Sequence, residues 1–313
     1  MRVITSLADA LPAIPSVVSI GNFDGVHLGH RAILETVVRR ARDLRCRSVA
    51  ITFSPHPIRF LAPYKAPKLI STIDQKIRLI ETTGVDLLLI LNFDENISRL
   101  SPQQFIAEYL VEKLGTRCVC VGSNFNFGYR GSGSVQTLRD WGHGLEVVEV
   151  PPVVVRGGVV SSTRIRELIS AGAVSKVGRL LGRWAELEGP IVSGAGRGRS
   201  VTVPTLNLQA ENELLPAKGV YVTRISLDWG TFLDSITNVG VRPTFGESTI
   251  SIETFVLNAP VPQTVGSARL QLIKRLRDEV KFESAEALKK QIGQDVARTR
   301  RFFHRLDTFR HVR

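Results

Sequence analysis

Gly21-Asn22-Phe23-Asp24-Gly25-Val26-His27-Leu28-Gly29-His30 lies between the apolar run Val17 to Ile20 and a segment with Ile33, Leu34, Val37, Val38, Ala41 and Leu44 at helical spacing. The run has the length of a buried strand, so the ten residues form a strand-to-helix turn. Backbone N–H groups at such a helix start carry partial positive charge and suit phosphate oxygens. His27 and His30 add two directed donors, and Gly29 between them leaves room for a ligand against the backbone. A lone histidine at a helix start is commonly a cap. Two at HxxH spacing are still more often structural, but the strand-to-helix turn, the glycine and the pair together have the look of a nucleoside triphosphate site.

Working outward, Val49 to Phe53, Val85 to Leu91, Arg117 to Gly122 and Leu145 to Val150 read as strands. Pro102 to Leu114 reads as a helix with Phe105, Ile106, Tyr109, Leu110 and Leu114 inward. This alternation predicts a doubly wound, Rossmann-like α/β domain, in which ligands sit beyond the carboxyl ends of the strands. Three further motifs follow strand ends or open a helix. Thr52-Phe53-Ser54-Pro55-His56-Pro57 holds His56 in a loop stiffened by two prolines. Val121-Gly122-Ser123-Asn124-Phe125-Asn126-Phe127-Gly128 precedes the loop Tyr129 to Ser134, and its phenylalanines also suit a plain core role. Ser161-Ser162-Thr163-Arg164-Ile165-Arg166 starts a helix to about Ala171, where hydroxyls cap and an arginine can neutralise phosphate charge.

Past Leu181-Gly182-Arg183-Trp184 the apolar runs shorten, turns multiply and helix signals vanish until the last thirty residues. A small antiparallel β-barrel with a terminal helix is predicted, and a domain boundary between 183 and 184. Gly194-Ala195-Gly196-Arg197-Gly198-Arg199 offers backbone N–H groups to phosphate but is not a Walker A loop, and no GxxxxGK[ST] string occurs. Thr205 and Asn207 in Val203-Pro204-Thr205-Leu206-Asn207 bring hard oxygen donors that suit Mg²⁺. The terminal helix, from Ser284 to about Phe303, aligns Ala285, Leu288, Ile292, Val296 and Phe303 on one stripe.

These motifs together resemble one family over nearly the whole chain. GNFDGVHLGH, TFSPHP, VGSNFNFG and SSTRIR resemble the adenylyltransferase half of the prokaryotic bifunctional riboflavin kinases/FMN adenylyltransferases, within the HxGH nucleotidyltransferase superfamily. Val203 to Asn207, Asn238 to Gly246, Ser251-Ile252-Glu253-Thr254 and Leu276 to Phe282 resemble the kinase half. The resemblance implies two reactions: riboflavin and ATP give FMN, then FMN and a second ATP give FAD and pyrophosphate. It casts His27 and His30 as holders of the triphosphate, and Asn22, Phe23, Asp24, Gly29, His56, Asn124, Ser161, Ser162, Thr163 and Arg164 as nucleotide- and flavin-binding. In the kinase half it assigns Glu253 as general base, Gly194, Gly196, Arg197, Gly198, Thr205 and Asn207 to ATP and its Mg²⁺, and Arg277 and Glu279 to flavin. Departures stand at Asn126, Thr202, Leu206, Phe255 and Asn258 to Pro262; Thr202 and Leu206 add bulk beside the expected Mg²⁺ ligands.

Composition bounds the alternatives. At 313 residues and 43% apolar content the chain is long enough for two domains with separate cores. Val85 to Phe93, interrupted by Asp86 and Asn92, falls far short of the roughly 20 apolar residues of a membrane helix. Nothing at the start resembles an export signal, so a cytoplasmic location is expected. Cys46, Cys118 and Cys120 form no CxxC pair, with Cys118 and Cys120 on one face of a strand. The net charge is +12, and Gln271 to Arg313 carries 12 Lys or Arg against 6 Asp or Glu. Interleaved acids such as Asp278, Glu279, Glu283 and Glu286 favour small polyphosphates and a solvated helix face over nucleic acid as the main partner. A nucleotidyltransferase for another phosphorylated substrate, or a non-catalytic nucleotide- or RNA-binding protein, are the other readings.

Overall fold

The computed structural model describes residues 1–6, 14–192, 205–243, 248–260 and 266–311. The chain divides into two compact units, Met1–Ser162 and Thr163–Arg313.

The first unit carries strands β1 (Arg2–Ile4), β2 (Ser16–Ile20), β3 (Arg47–Ser54), β4 (Leu87–Asn92), β5 (Thr116–Gly122), β6 (Asn126–Phe127), β7 (Gly133–Ser134), β8 (Glu146–Val150), β9 (Val154–Val155) and β10 (Gly158–Val159). Its helices are α1 (Leu28–Leu44), α2 (Pro57–Leu61), α3 (Ile73–Glu81), α4 (Glu95–Arg99), α5 (Pro102–Gln104) and α6 (Val135–Trp141). Six strands form one parallel sheet in the order β1-β4-β3-β2-β5-β8. Both faces are covered, which is why β2 is buried at all five positions. Val49 and Ile51 pack with Phe105, Ile106, Leu110 and Leu138, while Ala50 between them packs with Leu34, Val38 and Ile80 on the other side. The doubly wound prediction therefore holds.

Several local expectations shift. The helix from Pro102 becomes π-helical over Phe105–Lys113, still burying Phe105, Ile106 and Leu110. Leu44 ends up exposed beside the left-handed cap at Arg45. Strand β1 is too short to leave a period-2 signature and is found only by its pairing with β4. Cys118 and Cys120 do share a face, their sulfurs 4.0 Å apart, and the three cysteines are free.

Helix α7 (Ser162–Ser170) begins at the junction of the units, and α8 (Val174–Leu181) follows. Strands β11 (Ala185–Val192), β12 (Leu206–Leu208), β13 (Gly219–Leu227), β14 (Phe232–Pro243), β15 (Ser248–Val256) and β16 (Ser267–Arg277) close an antiparallel barrel in the order β11-β12-β15-β14-β13-β16. Its interior holds Leu187, Leu208, Tyr221, Ile225, Val239, Ile252 and Leu270. Four buried hydroxyls also face inward and satisfy one another as a chain: Ser235 to Thr223 at 2.8 Å, Thr223 to Thr237 at 2.8 Å, Thr237 to Thr254 at 2.9 Å. Helix α9 (Ala285–His311) lies on the outside, where Phe303, Val296 and Leu306 pack over Val220, Val222, Ile236 and Ile273. Ala285, expected on that stripe, is exposed. The stripe instead includes the buried polar residues Asp295 and Thr299.

Candidate functional site

In the first unit the chain runs out through β3 and β4 on one side of β2 and returns to β5 on the other. The strand order thus reverses between β2 and β5, the place where open α/β sheets leave a crevice for ligands. Gly21 to His27 leaves β2 there, and Ser123 to Phe125 leaves β5, so two of the motifs flank the same switch point.

The turn after β2 is built under strain. Phe23, Gly25 and Val26 all have positive φ, at 45°, 78° and 35°. For β-branched Val26 this conformation is costly, on the order of 1–3 kcal/mol, and persists only where the surroundings enforce it. The enforcement is visible. Phe23 and Val26 are buried, and the Asp24 carboxylate accepts from Ile70 N–H at 3.0 Å and Ser71 N–H at 3.1 Å. Gly25 N–H donates to Ser71 Oγ at 3.0 Å, and Ser162 Oγ donates to the Asp24 carbonyl at 3.0 Å. Asp24, expected at the ligand, is thus buried and spends its carboxylate on the protein's own backbone, while Asn22 beside it is exposed.

The turn presents the histidines as a pair. His27 caps α1, its Nδ1 accepting from His30 N–H at 3.2 Å. With Nδ1 an acceptor, a neutral His27 carries its proton on Nε2. The two rings stack at 3.6 Å between centroids and 16° between planes, and Phe23 sets its edge against His30 at 5.4 Å. Gly29 makes room for the His27 imidazole: a Cβ at this position would stand 3.1 Å from His27 Cε1.

Other expected residues fall into two groups. His56 is buried, and its Nδ1 caps α2 through Ile58 N–H at 3.3 Å. Phe127 is core and Phe125 stacks on it at 5.3 Å, the plain packing role, while Asn124 is exposed at the end of the β5 loop. Ser161 precedes α7, and Thr163 and Arg164 form its first turn. Lys76 went unnoticed in the sequence, and Thr52 stood there only as the first residue of the Thr52 to Pro57 motif. Thr52 Oγ1 donates to the Asn22 carbonyl at 3.2 Å and accepts from the buried Lys76 Nζ at 3.5 Å. Burial pushes the Lys76 ammonium below the ordinary lysine range, and the negative charge of Asp24 opposes that shift.

In the barrel unit the register assembles the kinase candidates. Asn207 on β12 lies opposite Glu253 on β15, and Glu253 lies opposite Asn238 on β14. Side chains at opposed antiparallel positions share a face, about 5 Å apart. The row therefore runs Asn207, Glu253, Asn238, then Val220 on β13 and Arg277 on β16. It lies on the outer face, since the neighbouring Leu208, Ile252 and Val239 point inward. Leu206, expected to crowd the Asn207 side, packs with the interior cluster and sits opposite the buried Thr254, because strand neighbours alternate faces. Thr205 is exposed. Gly194, Gly196, Arg197, Gly198 and Thr202 lie outside the described residues.

Arg277 and Glu279 divide. Arg277 Nε and Nη2 both lie 2.8 Å from Oδ2 of the buried Asp295 on α9, whose Oδ1 accepts from Gln291 at 3.0 Å. Arg277 Nη1 donates to the Asp278 carbonyl at 2.9 Å. Its guanidinium is thus engaged with protein, fixing the segment after β16 to the terminal helix. Glu279 is exposed, and its carboxylate lies directly over Gly240, where any Cβ would collide with it. Asp295 was not singled out in the sequence, and Asn238 stood there only as the first residue of the segment Asn238 to Gly246.

Comparison with known proteins follows this division. A family model described as FAD synthetase matches residues 12–164, and one described as riboflavin kinase matches 181–303. The bifunctional riboflavin kinase/FMN adenylyltransferase of Escherichia coli K12 is 31% identical over 305 residues, 97% of each chain. That of Pseudomonas fluorescens is 35% identical over 91% of this chain and 92% of its own, and that of Bacillus subtilis 32% identical over 93% of both. A solved structure described as a macrolide-efflux protein from Streptococcus pneumoniae matches with a TM-score of 0.88 at 29% identity, over 96% of this chain and 98% of that one. No helix among the described residues here is long and apolar enough to cross a membrane.

Proposed function

The chain belongs to the bifunctional riboflavin kinase/FMN adenylyltransferases, and from that membership we propose which of its residues carry each of the two reactions. The enzyme uses ATP to phosphorylate riboflavin to FMN, and ATP again to adenylylate FMN to FAD with release of pyrophosphate. We assign the second step to the turn after β2, the first to the outer face of the barrel, and the functional boundary to 183/184.

At the turn, His27 and His30 bind the triphosphate and stabilise charge on the α-phosphate as the FMN phosphate oxygen attacks it. The α1 cap and the strained loop support their stacked rings, the kind of preorganisation that limits the cost of reorienting donors during reaction. In the barrel, Glu253 accepts the proton of the terminal ribityl hydroxyl as that oxygen attacks the γ-phosphate. The Asn207 carbonyl and Thr205 hydroxyl are hard oxygen donors, a set that fits Mg²⁺ shared with ATP. When bound, the ion offsets phosphate charge; the residues themselves orient ATP and receive the proton. A cytoplasmic location belongs to this same reading, supported by the dependence of both steps on ATP.

One observation carries this assignment: His27 and His30 belong to one compact unit, Asn207 and Glu253 to the other. The test is chromatographic, with riboflavin, FMN and FAD followed over time in ATP and MgCl₂. Glu253→Gln is expected to form FAD only from supplied FMN, and His30→Ala to stop at FMN. Loss of both activities in either folded variant contradicts the assignment.

A further inference from the structure

We propose that Asn238 is a specificity-determining residue of the kinase reaction, its carboxamide hydrogen-bonding the hydroxyls along the flavin's ribityl chain. The inference rests on the kinase site assigned above and extends it by one strand. Asn207, Glu253 and Asn238 occupy opposed positions on β12, β15 and β14, spaced about 5 Å from strand to strand. If ATP phosphate is held at Asn207 and the reacting hydroxyl at Glu253, the rest of the substrate extends away from Asn207. The next side chain in that direction is Asn238. Beyond it the row reaches Val220 and Arg277, and Glu279 stands over Gly240. Asn238 therefore lies between the base and the segment expected at the flavin ring. A five-carbon polyol occupies that interval in riboflavin.

The chemistry of the position agrees. Ile236, two residues earlier on the same face, is buried under α9, so an apolar residue at 238 would extend that packing. Asparagine is instead disfavoured in strands. A hydroxyl both donates and accepts, and a carboxamide offers both functions. The carboxylates of Glu253 and Glu279 on either side only accept when ionised. Gly240, with no side chain of its own, lets the Glu279 carboxylate approach the strand beside Asn238 Nδ2, which would stand 3.1 Å from a Cβ at this position.

The test compares riboflavin with an analogue carrying an unbranched 5-hydroxypentyl chain on the same ring, which keeps the reacting hydroxyl and lacks the others. In the unaltered enzyme, kcat/KM should favour riboflavin. In Asn238→Leu that preference should shrink by about 10-fold, mainly through KM for riboflavin, the size expected for losing a neutral hydrogen bond. Asn238→Thr, which suits a strand and keeps a hydroxyl, should recover part of the preference and serves if the leucine variant does not fold. Equal slowing of both substrates, or an unchanged preference, overturns the proposal. Should Glu253→Gln and Asn207→Ala leave FMN formation intact, the site assignment itself falls, whatever Asn238 does.

Discussion

The turn after β2 and the outer row of the barrel, to which we assign the two ATP-dependent steps, hold their polar groups in opposite ways. The turn concentrates them in ten consecutive residues and keeps them in place by strain: positive φ at Phe23 and Val26, a buried carboxylate at Asp24, and a histidine cap. The barrel collects Asn207, Glu253 and Asn238 from three strands and holds them by register alone. A local turn is specific because few backbones tolerate it. A strand row is specific because slipping by one residue would send every member to the interior.

Removing Glu253, the base proposed for the barrel row, should give the largest effect. Glu253→Ala is expected to lower FMN formation by about 100-fold to 10,000-fold while FAD formation from supplied FMN continues, as measured by separating the flavins. A comparable loss in both steps would break the comparison between the two regions. At the turn, His30→Ala should lower FAD formation by about 100-fold to 1,000-fold and spare the kinase. His27→Ala should cost more than His30→Ala, since it also removes the cap that receives His30 N–H. Equal losses in the two variants would show the cap to be irrelevant to turnover.

The same contrast explains what could be read in advance. The HxGH turn, the alternating α/β pattern and the change to short apolar runs with frequent turns after Leu181 are local signals, and each corresponds to an observed turn, sheet or barrel, although most barrel strands run 8 to 12 residues. The role of Asp24 was not legible: its partners, Ile70 and Ser71, are 46 and 47 residues away and use backbone N–H groups that any residue supplies. Lys76 lies in an ordinary amphipathic helix, and only the placement of α3 against β3 brings it to Thr52. Asn238 has meaning only once β14 and β15 are in register. Arg277 was visible as a charge, but its buried partner Asp295 lies 18 residues on. Pattern reveals periodic burial and contiguous motifs, whereas polar groups joined through distant backbone require the fold.

The Arg277 and Asp295 pair sharpens the comparison from the barrel side, because register alone does not fix the segment that follows β16. Asp295→Ala would leave the Arg277 guanidinium beside α9 without its carboxylate. Breaking such a buried pair typically costs about 3–5 kcal/mol. The expected result is a lower urea midpoint and a raised KM for riboflavin, with little change in kcat for the molecules that remain folded. An unchanged midpoint would mean that water reaches the pair easily. A fall in kcat with KM constant would place Arg277 nearer the reacting atoms than its contacts indicate.

The smallest expected effect probes the turn through its buried lysine. Burial lowers the folded-state pKa of Lys76 from its ordinary value of 10.5, so protonated Lys76 costs folding free energy at neutral pH. As pH rises from the lowered folded value towards 10.5, the folded chain releases this proton while the unfolded chain still holds it, and the cost declines. Urea unfolding of the unaltered protein and of Lys76→Met should therefore differ in slope: relative to the variant, the unaltered protein gains stability as pH approaches 10.5. Parallel curves would show that Asp24 already compensates the charge in full. In that case the turn is held by an ion pair in addition to its strained backbone, and the contrast with the barrel row would narrow.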